Sequence, residues 1–386
     1  MKRYRVMVVA SLVLAACTAG QIPAPRSEAA RSPTPAAAQP PVPAEASIAA
    51  GPPVVGAAHP GLQHLIGQKL VVRMDGVTPS TGLLGRIRRG EVGGVVLFGS
   101  NITTRAALIA LTGRLRAAAA GGQPPLLIAV DQEGGQIKRI PWAPPTLSPP
   151  QMSRAGGPSL ARAQGASTGV ALRGLGIDVD FAPVADVPGS TASFMYQQGR
   201  TFSFSAPRTA LLADAFASGL ESEGVLPTMK HFPGIGLATR NTDASVVTIT
   251  ASGDELDPGL RAYRTAIAHG IPLIMLSNAT YTAYDPFNAA GWSRAIGVTL
   301  LRDELGFTGA TITDSLDGTG AARGLSDRLL AVRAARAGTD MILITGSEAT
   351  SQAVYATLVR EARDGSILTA TLQASWDRIL ALKAGL

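Results

Sequence analysis

Thr228-Met229-Lys230-His231-Phe232-Pro233-Gly234 is the stretch on which the fold turns. An apolar, strand-forming run ends in a cation, an imidazole and a Pro/Gly turn. Ionisable groups at the end of a buried strand are costly unless they are paired or working. Similar short runs recur on either side of it, at 71–74, 94–98, 126–131, 179–186, 228–232, 273–277, 310–314 and 341–345. Segments with helical spacing separate them, at 103–119, 160–173, 207–223, 258–269, 299–305, 327–337 and 350–363, and 369–383 closes the chain. Apolar runs without strict alternation suit strands buried on both faces. Alternating strand and helix implies parallel pairing through right-handed crossovers. Eight such units predict an α/β chain folded as a (β/α)8 TIM barrel. A doubly wound sheet is the alternative, but no Gly-x-Gly-x-x-Gly turn follows the first run.

A barrel builds its site at the carboxyl ends of its strands. Polar residues do gather there: Asp131 ends the third run, Asp186 the fourth, Lys230-His231 the fifth, Ser277-Asn278 the sixth and Asp314 the seventh. One such Asp can be a helix cap; five polar ends are poorly explained by caps alone. A carboxylate placed like Asp314 can attack an anomeric carbon. Asp131 and Arg139 can hydrogen-bond sugar hydroxyls from a segment whose glycines admit a ligand closely, or that segment is a plain turn. Glu133 is chemically suited to be a general acid, although nothing in the sequence brings it near Asp314. Arg200 falls in a strand-to-helix loop, where it can contact a ligand or lie on the surface. Lys230 asks for a ligand or a counter-ion; His231 can be a ligand or a satisfied core histidine.

The ends and the composition narrow the setting. Lys2, Arg3 and Arg5 precede an apolar run over 6–16 that is too short to span a bilayer as a stable helix. Residues 1–16 read as an export signal. Cys17, the only cysteine, excludes an internal disulfide. Leu14-Ala15-Ala16-Cys17 resembles a bacterial lipobox, whose thiol is lipidated; the plainer alternative is an ordinary signal with an incidental Cys. Residues 17–60, rich in Ala, Pro and Ser, read as an extended tether, and 61–386 as one globular unit. The net charge of +7 comes from scattered arginines, which argues against a nucleic-acid partner. With four histidines and no His-x-x-x-His pair, no metal is expected. A phosphate-binding Gly-x-x-x-x-Gly-Lys-Ser/Thr loop is also absent from the sequence.

Taken in order, seven pieces resemble glycoside hydrolase family 3, and specifically its bacterial single-domain β-N-acetylglucosaminidases. They are Ile66-Gly67-Gln68, Asp131-Gln132-Glu133-Gly134-Gly135, Phe181-Ala182-Pro183-Val184-Ala185-Asp186-Val187, Arg200-Thr201-Phe202, Lys230-His231-Phe232-Pro233-Gly234, Leu305-Gly306-Phe307 and Thr313-Asp314. The resemblance covers about 65–383. It implies a TIM barrel, a retaining mechanism without a cofactor, and Asp314 as nucleophile. It also implies Asp131, Arg139, Arg200, Lys230 and His231 as ligands of the sugar in the −1 subsite.

The departure lies in the catalytic loop. The family continues from Lys-His-Phe-Pro-Gly to an Asp-Ser-His triplet whose His is the acid/base. Counted from Lys230, that triplet is Asn241-Thr242-Asp243, and Ile235-Gly236-Leu237-Ala238 replaces the usual His-Gly-Asp-Thr. Two readings follow. Either Asp243 is itself the acid/base, with Asn241 supporting the loop, or the loop is degenerate and the protein only binds sugars. The first predicts a lipid-anchored, monomeric, exo-acting β-N-acetylglucosaminidase of the cell envelope that removes terminal GlcNAc from peptidoglycan fragments. A β-glycosidase for another sugar and a non-catalytic muropeptide-binding lipoprotein are the alternatives. A carboxylate base would repel phosphate, which favours water as the acceptor.

Overall fold

Eight parallel strands pair in the order β7-β6-β5-β4-β3-β2-β1-β8. In chain order they are β1 (Leu70–Arg73), β2 (Gly94–Leu97), β3 (Leu127–Val130), β4 (Val179–Asp180), β5 (Leu226–Phe232), β6 (Leu273–Leu276), β7 (Ala310–Thr313) and β8 (Ile342–Ile344). A bridge between Ile312 and Met341 closes the ring from β7 to β8. At this seam Thr313 N donates to Met341 O at 3.1 Å and Met341 N donates to Thr311 O at 2.8 Å. Thr313 Oγ1 accepts the Leu343 N–H at 3.0 Å, a hydroxyl standing in for a ladder carbonyl. The computed structural model describes residues 60–121 and 124–386. The segments expected to be an export signal and a tether, with Cys17 between them, lie outside the described residues up to residue 59.

The continuous apolar runs are explained by two cores on opposite faces of the sheet. Val71, Val96, Leu127, Ala129, Leu273 and Met275 point into the barrel. Their neighbours Leu70, Val72, Val95, Leu97, Ile128, Ile274 and Leu276 point out against the helices. The strand period of two is intact, but both phases are apolar. Each fully buried aliphatic side chain contributes roughly 1.5–3 kcal/mol before the entropy of ordering it is subtracted.

The helical readings hold with shifted ends. The segment read as starting at Pro258 is the helix Gly253–Ala268, with Pro258 inside it. Its start is set by Ser252, whose hydroxyl accepts from Glu255 N while the Glu255 carboxylate accepts from Ser252 N. This reciprocal cap outweighs the cue given by proline. The segment 299–305 overlaps a π-helix, Ala295–Glu304, and ends on its cap Leu305. Short helices Leu62–Gln68, Thr81–Arg88, Pro149–Ala155 and Leu316–Arg323 have no counterpart in the sequence reading.

The last helix, Thr369–Lys383, covers the barrel floor, with Ile379 and Leu382 joining the interior core. Its Lys383 Nζ donates to Gly93 O, one residue before β2, at 2.8 Å. At the opposite end the long loop after β5 is pinned. Thr248–Ile249 of that loop pairs with Thr280–Tyr281 of the loop after β6, which pairs in turn with Asp285–Ala289. A small three-stranded sheet therefore joins two neighbouring loops at the mouth.

Candidate active site

Asp131, Arg139, Arg200, Lys230, His231, Asn241, Asp243 and Asp314 all line one cavity of about 440 Å³. It opens at the carboxyl ends of the strands, and Val96, Met275 and Leu343 form part of its apolar floor. Asp131 directly follows β3, Lys230 and His231 belong to β5, and Asp314 directly follows β7. Arg200 and Asp243 come from the loops after β4 and β5.

One wall is a charge-paired clamp. Lys230 Nζ lies 2.8 Å from Asp131 Oδ1 and 2.7 Å from Glu133 Oε1. Arg200 grips Glu133 with two bonds, Nε to Oε2 at 2.8 Å and Nη2 to Oε1 at 2.7 Å. Such bidentate pairs fix geometry as well as charge. Burial by itself would raise the Glu133 pKa, but the Arg200 and Lys230 charges override it and hold the group at about 2. Glu133 is therefore no proton donor near neutrality, which answers the sequence reading of it as a general acid. Burial also disfavours a charge on Lys230, yet Asp131 and Glu133 raise its pKa above the ordinary lysine value. Arg139 Nη2 stands 3.6 Å from Asp131 Oδ2, and its guanidinium lies over the Phe98 ring at 5.3 Å.

His231 is oriented from behind. Its Nδ1 lies 2.7 Å from Asp186 Oδ2, and the other Asp186 oxygen accepts from Ile235 N at 2.7 Å. An accepting carboxylate puts the hydrogen on Nδ1, so Nε2 is left for the cavity. The same carboxylate ties the loop after β4 to the end of β5 and the start of the loop that follows it. A Cβ on Gly236 would meet Val187 O at 1.8 Å, so only glycine lets this loop lie so close.

The other wall holds two carboxyls. Asp314 Oδ1 accepts from Ser315 N at 2.7 Å, and Ser315 Oγ meets Thr345 Oγ1, at the end of β8, at 2.5 Å. Asp243 faces it from the loop after β5. Burial first, and then the negative charge of Asp314, push the Asp243 pKa up to about 7. Asn241 Oδ1 accepts from Asp243 N at 3.0 Å, so Asn241 braces the backbone of the loop. A Cβ on Gly318 would fall 2.2 Å from Asp243 O, so the helix Leu316–Arg323 seats the loop closely.

Glu133 and Asn278 stand out in the sequence but their connections do not, and Asp180 draws no attention there. Glu133 was visible, but its pairing with Arg200 and Lys230 spans 67 residues in one case and was not. Asn278 donates to Asp243 Oδ1 at 3.4 Å and to Ser315 O at 2.7 Å; its position at a strand end was the available signal. Asp180, at the end of β4, is wholly buried, and burial pushes its carboxyl up to about 8.

A closed parallel barrel whose mouth gathers two carboxyls in one cavity with a charge-paired cluster is compatible with a sugar-cleaving enzyme. The chain matches the family described as Glycosyl hydrolase family 3 N terminal domain over residues 63–382. It is 33% identical over 327 residues to an "Uncharacterized secreted glycosyl hydrolase" of Arthroderma benhamiae, covering 83% of this chain and 92% of that one. It is 35% identical over 265 residues to a "Beta-hexosaminidase" of Nitrosomonas eutropha, covering 66% and 73%. Among solved structures, a glycoside hydrolase family 3 β-N-acetylglucosaminidase from Paenibacillus sp. str. FPU-7 superimposes with a TM-score of 0.81 at 29% identity, over 85% of this chain and 63% of that longer one. This protein belongs to glycosyl hydrolase family 3 and is a glycoside hydrolase.

Proposed function

We propose that the protein is a retaining, exo-acting β-N-acetylglucosaminidase that hydrolyses terminal GlcNAc. The observation that carries this reading is Asp243: a carboxyl poised at about 7 in the same cavity as Asp314, and raised in part by its charge. The Asp314 carboxylate attacks C1 as Asp243 delivers its proton to the departing oxygen, which takes the bonding electron pair. Asp243, now ionised, removes a proton from water, and the water oxygen displaces Asp314 from C1. Asp131, Arg139, Arg200, Lys230 and His231 hold the sugar hydroxyls. The hexosaminidase names of the relatives support N-acetylglucosamine as the sugar. An anionic Asp243 repels phosphate, which supports water as the acceptor; added phosphate should yield no sugar 1-phosphate.

The test compares a chromogenic β-N-acetylglucosaminide with the matching β-glucoside, using wild type and Asp314→Asn. The acetamido sugar should be cleaved, with activity falling on the order of 10⁴-fold in the variant. Faster release from the glucoside would reassign the sugar. Binding without turnover in both proteins would make this a sugar-binding lipoprotein, and turnover that survives Asp314→Asn would remove Asp314 as nucleophile.

The setting belongs to the same proposal. A secreted relative supports export, and the sequence around Cys17 supports a lipid anchor that holds the enzyme, as a monomer, at the cell envelope beside peptidoglycan fragments. Among the described residues no helix is long and apolar enough to cross a membrane. Labelled fatty acid should enter the wild type and not Cys17→Ala.

A further inference from the structure

We propose that Asn278 is a positioning residue that dictates which oxygen of Asp243 carries the catalytic proton, and that couples the acid loop to the nucleophile segment. The inference rests on Asp243 being the acid/base. Asn278 follows β6 and is wholly buried. Its Nδ2 has two hydrogens and two acceptors: Ser315 O at 2.7 Å and Asp243 Oδ1 at 3.4 Å. Its Oδ1 finds no donor among the described residues. Flipping the amide would set that oxygen against two other oxygens, so the orientation is fixed by its acceptors.

A buried acceptor left without a donor is a cost of about 1–3 kcal/mol, tolerated here because the amide is needed on its other side. The Asn278 backbone is held as well: Arg323 Nη2 donates to Asn278 O at 3.0 Å, and its guanidinium lies over the Trp292 ring at 5.3 Å.

The consequence is a directed acid. With Oδ1 accepting from Asn278, the proton of neutral Asp243 resides on Oδ2, the oxygen available to the glycosidic oxygen. Because Ser315 N also binds Asp314 Oδ1 at 2.7 Å, one amide sets both carboxyls relative to each other. The charged and titratable groups acting on Asp243 are Asp314 after β7, His231 on β5 and Arg200 after β4. Asn278 adds a donor that favours the ionised form.

Asn278→Ala tests this through the pH profile. Removing the donor should move the basic limb of kcat/KM upward by about half a unit to one unit. Turnover of a glycoside with a poor leaving group should fall roughly 10–100-fold, whereas the burst of dinitrophenol from an activated glycoside, which needs no acid, should persist. That burst also reports a folded site. Asn278→Ser, which keeps a donor in less space, should recover part of both effects. An unmoved or lowered limb in a variant with an intact burst overturns the inference. Asp243→Ala separates the two readings. If it abolishes the basic limb while Asn278→Ala leaves the limb in place, only the role of Asn278 fails. If the limb survives Asp243→Ala, the acid/base assignment itself falls.

Discussion

The two walls of the cavity treat buried carboxyls in opposite ways. On one, Glu133 lies between Arg200 and Lys230 and is held at about 2. On the other, Asp243 has an amide and a second carboxylate for company and rises to about 7. Glu133 is buried and Asp243 half-buried; the difference is whether a cation pairs directly with the carboxyl. A paired carboxylate becomes a fixed part of a binding surface. An unpaired one beside a like charge becomes an acid that works near neutral pH. The same barrel mouth thus holds one carboxyl fixed in its charge and another free to change it near neutrality.

The contrast is tested most severely by Asp243→Ala. Hydrolysis of poor leaving groups should drop on the order of 10³-fold, with a smaller loss on activated aryl glycosides. Azide should restore turnover of the activated substrate as a β-glycosyl azide, because a small anion enters where the base stood. Equal rates for wild type and variant on the poor substrates would remove Asp243 from the mechanism.

Glu133→Gln attacks the opposite wall. Leaving Arg200 and Lys230 short of a negative charge should destabilise the fold by about 3 kcal/mol and raise KM more than it lowers kcat. Urea unfolding and steady-state kinetics read the two effects. The sign with pH follows from a folded value of about 2 against an ordinary 4.5. The stabilisation is complete above about 4.5 and fades as pH falls toward 2. An acid-side melting curve identical in wild type and variant would contradict the pairing.

The smallest effect separates the walls by sign. Asp243 keeps its proton in the folded state up to about 7, whereas the unfolded chain releases it near the ordinary 3.8. Its contribution to stability therefore declines as pH rises across that window. Asp243→Asn should melt a few degrees higher than wild type at pH 8, with the gap closing by pH 4. A gap that is the same at both values would point to a cause other than the proton.

The barrel and the cavity lining were legible because both are written in local pattern. Eight apolar runs, five of them with polar residues at their ends, are visible one segment at a time, and Asp131, Lys230 and Asp314 stand at the ends of their strands. What was hidden depends on distance along the chain. Arg200 meets Glu133, and Asp186 meets His231, only after β3, β4 and β5 are side by side. The small sheet at the mouth includes strands as short as Thr248–Ile249, too brief to show any periodicity. Helix Pro149–Ala155 is only seven residues long, too short for a helical period to stand out. The candidacy of Asp243 could be read by counting along the loop from Lys230; its bond to Asn278 could not.

The small sheet at the mouth also bears on how such an enzyme can diverge. Loops on a barrel ordinarily vary one at a time, since each hangs from its own strand. Here the loop bearing Asp243 and the loop after β6 share a ladder, with Thr280 N donating to Val247 O at 3.0 Å and Thr282 N to Ile249 O at 3.1 Å. An insertion or deletion in one must be matched in the other or the register between them slips. Lineages descending from this chain should therefore change these two loops together, so that a new residue at position 243 arrives with a new neighbour already fitted to it.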